Sequence, residues 1–116
     1  MKIELILKSE TVENKKTHKI EEKIIESKTY FLPRARGTII QRLFSVQNIL
    51  NEAGENFGSD EFNLMVDFIC LAFGSQFTSE EFLEGIHADD ILPKFNELCD
   101  ELGNKTVAKI NQLVKN

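Results

Sequence analysis

The residues of this chain that could do chemistry are few, and their spacing sets up no reaction. A nucleophile such as Ser45 or Cys70 needs a histidine to take its proton. The two histidines stand in unrelated contexts, His18 among lysines and His87 beside acids. His87-Ala88-Asp89-Asp90 has the residue types of a metal site. Its two acids are adjacent, however, so on a helix they point about 100° apart, and no further ligands follow at the spacing of a calcium loop. Acids at the start of a helix that complement its dipole account for them. Cys70 and Cys99 lack the paired spacing of a zinc or redox motif and read as two buried thiols in a reducing compartment. A Gly-rich phosphate loop, a nucleophile elbow and an HExxH motif are all missing from the sequence. The expectation is a protein that is not an enzyme and takes no metal and no cofactor.

Function must then lie in binding, and charge narrows the partner. The chain has 116 residues and a net charge of −5, unevenly spread. Residues 1–43 carry ten Lys/Arg and six Glu, a net of +4. Residues 44–104 carry one cation, Lys94, and thirteen acids, a net of −12, and the last twelve residues add three lysines. An acidic body does not suit a phosphate backbone, which requires a dominant basic face. Arg34, Arg36 and Arg42 are too few for a nucleic-acid stripe and read as a local ion-pairing face. The arrangement leaves open a homo-oligomer in which basic ends meet acidic bodies, beside the plainer reading of solvated surface. No apolar run nears the ~20 residues of a membrane span, and MKIELILKSE lacks the cleavage site of a secretory signal. A cytoplasm is the expected compartment.

The elements follow from apolar spacing. Asp60 to Phe82 holds five of the nine phenylalanines. Phe62, Met65, Val66, Ile69 and Phe73 form one helical stripe, and Leu64, Phe68 and Leu71 form the opposite flank. Ser59 and Asp60 are natural N-caps, and Gly74 is placed to end the helix in a left-handed residue. Thr78-Ser79-Glu80-Glu81 is a capping box, so a short helix from Ser79 to Glu84 follows a tight corner, and Gly85 breaks it. Before this region, Pro33 ends an extended segment and a helix fits Arg34 to Ala53, with Gly37 weakening its first turn. Gly54 and Gly58 bracket the stop, with Phe57 expected to fold back as an apolar plug. After it, a helix starts at Ala88 or Asp89, carries Pro93 near its first turn, and stops at Gly103-Asn104. A last short helix, Thr106 to Lys115, carries Val107, Ile110, Leu113 and Val114 on one side.

At the amino terminus, Lys2 to Lys8 alternates as a strand, and Ser9 to Thr17 reads as a turn with Asn14 as its awkward residue. Residues 18–25 read as the return strand. The expected fold class is mainly α, a small helical bundle with a short N-terminal β-hairpin-like element. It forms one domain over 1–116, divided into 1–32, 33–104 and 105–116. The Phe stripe is core. The flank Leu64, Phe68 and Leu71 and the face Val107, Ile110 and Leu113 either cover each other or form an apolar patch that binds a partner.

The run Val66-Asp67-Phe68, Ala72-Phe73-Gly74-Ser75-Gln76-Phe77-Thr78, Phe82-Leu83-Glu84-Gly85-Ile86 and Asp90-Ile91-Leu92-Pro93 resembles the tail assembly chaperones of long-tailed, siphovirus-type bacteriophages. The resemblance covers roughly residues 60–100, and Phe31 to Ala53 is similar more loosely. The charged segment from Glu10 to Lys28 departs from the pattern in being longer. The resemblance implies a chaperone in the host cytoplasm, absent from the mature virion, without catalytic residues. It implies that the protein coats the tape measure protein, helps tail tube protein polymerise around it, and then leaves. Many such proteins are also made in a longer, frameshifted form. The alternative is a generic helical interaction or regulatory module with no role in tails.

Overall fold

The computed structural model describes the backbone of residues 1–114 and the side chains of residues 1–103. Two antiparallel strands, β1 (Lys2–Asn14) and β2 (Lys19–Phe31), open the chain. Then come α1 (Gly37–Ala53), a 3-10 turn at Gly54–Asn56, α2 (Ser59–Ala72), α3 (Ser79–Gly85) and α4 (Ala88–Val114). Two long paired strands beside the helices α1 to α4 make this a mixed α/β fold, which corrects the expected mainly α bundle with a short hairpin-like start.

The correction comes from Ser9 to Thr17. Its polar residues suggested a turn, but across the ladder they meet partners: Glu10 lies opposite Lys23 and Asn14 opposite Lys19. Opposite charges facing across strands stabilise a ladder by about 0.2–1 kcal/mol per pair. Strand pairing therefore runs to Asn14, and the turn shrinks to residues 15–18. The His18 N–H donates to the Asn14 carbonyl at 2.7 Å, and the left-handed backbone angle falls on His18 (φ 56°), not on Asn14. Asn14 instead accepts from the Lys16 N–H through its side-chain oxygen at 3.0 Å.

Only the root of the hairpin is buried, through Ile3, Leu5 and Tyr30. Thirteen residues of strand reach about 43 Å, far beyond that root, and 27 residues of helix in α4 reach about 40 Å. The radius of gyration is accordingly 17.4 Å, against about 13 Å for a compact chain of this length. The arm is fixed where it leaves the body. Gly85, at the end of α3, packs directly on β1: a Cβ there would lie 2.9 Å from the Leu5 Cβ and 3.1 Å from the Ile6 carbonyl oxygen. Just beyond, His87 Nε2 meets Glu22 Oε2 at 2.7 Å, and the strand register is irregular between Ile6 and Ser9.

The core gathers around α2, whose Met65, Val66, Phe68, Ile69, Cys70 and Ala72 are all buried. The expected corner is present. The Gly74 N–H donates to the Leu71 carbonyl at 2.9 Å and the Ser75 N–H to that of Cys70 at 3.0 Å, the paired bonds of a Schellman motif. Gly74 takes φ 69°, as its position requires, and Ser75 takes φ 56°. Gln76 ties this corner to the hairpin, its side-chain N–H group donating to the carbonyls of Phe31 (2.9 Å) and Phe73 (2.7 Å). The capping box also forms. The Glu81 N–H donates to Thr78 Oγ1 and the Thr78 N–H to Glu81 Oε1, each at 3.1 Å. The corner brings Phe77 against Tyr30, Phe73 and Phe82, with ring centroids 4.9, 5.6 and 5.8 Å away.

Other boundaries differ from expectation. Helix α1 begins at Gly37, not Arg34, and α2 is capped by Gly58, whose N–H donates to Glu61 Oε2 at 3.0 Å, with Ser59 its first residue. Gly103-Asn104 stops nothing, and the expected separate helix from Thr106 is the continuation of α4 to Val114. One glycine in a helix costs about 1 kcal/mol, whereas a second helix would need a nucleus of its own.

Candidate protein-binding site

Helices α1 and α4 lie side by side without closing completely. Gln47, Leu50 and Asn51 of α1, at spacings of three and four residues, face Leu92, Phe95, Asn96, Cys99 and Asp100 of α4. Met65 of α2 and Phe57, just after the 3-10 turn, complete the lining of a groove of about 560 Å³. Met65 and Phe95 are buried, whereas Phe57 is 47% and Leu92 56% exposed. Phe57 was expected to plug the corner after α1, and instead its ring stands open to solvent at the groove. Among the described residues, Asp100 is the one charged side chain of the lining. Cys99 is half-buried rather than buried, and desolvation pushes its thiol up to about 11, against a smaller opposing effect from a hydrogen bond with Gln47. Such a thiol is not a nucleophile at neutral pH.

The residues singled out from sequence are distributed differently. Phe68 is 2% exposed, with its ring edge-on to Phe95 of α4 at 6.3 Å. Leu64 is partly buried against the core, and Leu71 is 38% exposed. Phe68 is thus covered by α4 and Leu64 partly by the core, with Leu71 left at the surface. The side chains of Val107, Ile110 and Leu113 lie outside the described residues. Sequence reasoning missed Phe57 and Leu92 at the groove, and also Phe44 and Ile49, which are 58% and 46% exposed on α1. Ile49 lies off the apolar stripe of α1, whereas Phe44, at i+4 from Ile40, was expected within that stripe and is exposed instead. Nothing local marks Phe57 and Leu92, because their exposure depends on how far apart α1 and α4 pack.

The polar residues do not converge. Cys70 is buried, its thiol raised by desolvation, with the Ser79 hydroxyl 3.8 Å from its sulfur. His18 lies in the hairpin turn, 4.0 Å from Glu13, and His87 sits at the junction of α3 and α4. Asp89 and Asp90 occupy the first turn of α4. Among the described residues, no cluster of three or more His, Cys, Asp or Glu side chains could hold a metal, and no helix is long and apolar enough to cross a membrane.

What the surface offers is therefore apolar side chains on an acidic body. No curated protein and no solved structure matches the chain. A family model described as phage tail chaperone protein matches residues 1–114, nearly the whole length. That match covers the hairpin, the Phe-rich corner and α4 together, and the chain belongs to the phage tail chaperone protein family.

Proposed function

We propose that this protein is a tail assembly chaperone that binds the tape measure protein and helps recruit tail tube protein during tail morphogenesis. It acts by reversible, stoichiometric binding, in the host cytoplasm, and leaves before the virion is complete. The family membership carries the reading. The surface supports it, because Phe57 and Leu92 stand exposed beside a groove between helices, a form that receives an amphipathic helix. The contact surface also includes Leu71, with Leu64 and Phe68 beneath it, and the face of Val107, Ile110 and Leu113. A grip that must release is suited by modest apolar area within an acidic field, since buried area converts poorly into affinity and charge adjusts rate and specificity.

The test is co-expression with the tape measure protein of the same phage. The chaperone should co-purify with it in fixed stoichiometry and keep it soluble, and addition of tail tube protein should displace the chaperone. A tape measure protein equally soluble alone, with nothing bound, would exclude the reading.

A further inference from the structure

We infer that the groove between α1 and α4 receives an amphipathic α-helix of another protein whose apolar stripe is flanked by lysine or arginine. This inference rests on the chaperone reading above and adds the chemistry of the partner segment. Its first support is shape. The lining of α4 runs from Leu92 to Asp100, about 12 Å at 1.5 Å per residue. That accommodates two turns of helix, whose anchors at i, i+3 or i+4 and i+7 span a similar length. Both walls are helices whose backbone bonds are already made, so the groove has no open ladder for an extended strand.

The second support is the lining. Leu50, Met65 and Phe95 give an apolar bottom, and Phe57 and Leu92 are each about half exposed at the sides. Covering two such large side chains is favourable at roughly 25 cal/mol per Å² of apolar area removed from water. Gln47, Asn51 and Asn96 can hydrogen-bond to polar positions next to an apolar stripe.

Charge settles the flanks. Among the described residues, Asp100 lines the groove without a cation beside it in the lining. Lys94, the one cation in residues 44–104, is already 3.3 Å from Glu97, and thirteen acids share that stretch. An acidic helix would approach against this field, while a basic one is steered into it. A partner of the same size with glutamate flanks is therefore disfavoured in both rate and affinity.

The experiment uses the full-length protein and three labelled peptides of about 14 residues, long enough for partial helicity. One has leucines at i, i+3, i+4 and i+7 with lysines elsewhere, one replaces the lysines with glutamates, and one scrambles the lysine version. Fluorescence anisotropy should show the lysine helix binding at one per chain, more weakly as salt rises. The Leu92→Glu and Asp100→Lys variants should each bind it about tenfold more weakly. Both sites are exposed, so unchanged far-UV circular dichroism should accompany the loss. Equal binding by wild type and Leu92→Glu, or by the lysine helix and its scrambled form, would reduce the effect to unspecific charge and overturn the inference. So would a wild-type protein that sediments as a dimer and becomes monomeric in Leu92→Glu, because the groove's occupant would then be a second copy. Tape measure protein captured equally by wild type and Leu92→Glu would remove the groove from the account and leave the chaperone reading intact. Peptide binding without tape measure capture would do the reverse.

Discussion

His87 Nε2 lies 2.7 Å from Glu22 Oε2, a contact that joins the junction of α3 and α4 to the first part of the second strand across 65 residues of sequence. The imidazole is shifted upward from 6.5, first by its hydrogen bond to Glu22, then by that carboxylate's charge, with Asp90 and Asp89 adding smaller contributions. Glu22 is shifted downward from 4.5, chiefly by the same hydrogen bond. A raised histidine contributes stability that is complete below its unfolded value and is lost as pH rises through its folded value. A lowered glutamate contributes stability that is present above its unfolded value and lost as pH falls through its folded one. The contact should therefore be strongest between about pH 4.5 and 6.5. Both groups are largely exposed, so the effect should be modest and weakened by salt. Melting temperatures of wild type and His87→Gln should converge as pH rises from 6.5 toward 9, and the wild-type advantage should shrink in 1 M salt. A constant difference across that range would show that His87 contributes by packing alone.

The same junction depends on the missing side chain of Gly85. Alanine ordinarily favours a helix over glycine by about 1 kcal/mol. At Gly85 the added methyl would meet the Leu5 Cβ at 2.9 Å and the backbone of Ile6 at 3.1 and 3.2 Å. Forcing a methyl into a packed contact costs about 1–3 kcal/mol. Since the neighbour is backbone, the clash should prevail and Gly85→Ala should lose about 1–2 kcal/mol in urea unfolding. Gly103→Ala is the control. It lies within α4 with nothing within 4 Å of the added methyl, and should gain up to about 1 kcal/mol.

These two positions show what could be read from the residues and what could not. The corner was legible because its determinants are local: Gly74 supplies a left-handed angle, and Thr78 and Glu81 cap one another over three residues. The length of the hairpin was not legible. The strand character of Thr11 to Asn14 arises from residues opposite them in β2, and opposing residues such as Glu10 and Lys23 are far apart in sequence. Gly103 pointed to a helix end by type, yet the single glycine was absorbed by a helix already under way. The groove lay further still from the sequence, since Leu92 and Phe57 share it only once α1, α2 and α4 have packed.

Local determinants can be removed one at a time. Thr78→Ala takes away the acceptor for the Glu81 N–H and half of the capping box. Loss of such a cap costs about 0.5–2 kcal/mol. Thr78→Ser keeps the hydroxyl and should retain most of that stability. Equal stability of the alanine and serine variants in thermal unfolding would show that Phe77 and Phe82, packed on either side of Thr78 in sequence, hold the corner without the cap.

One buried and one exposed residue of α2 should separate folding from binding. Phe68 is 2% exposed and edge-on to Phe95, so Phe68→Asp would bury a carboxylate with no partner in the core. That variant should be unfolded or severely destabilised, with far-UV helicity lost, and its failure to bind would carry no information about the surface. Leu71, three residues along the same helix and 38% exposed, has no such constraint. Leu71→Asp should keep its helicity and lose only about 1 kcal/mol, because Leu71 stands in the last turn of α2, where an acid opposes the helix dipole. If Leu71 belongs to the contact surface, this folded variant should capture less tape measure protein than wild type in co-expression. Undiminished capture would leave the groove at Phe57 and Leu92 as the place where partner contact is made, since an acid at Leu71 would then face only water.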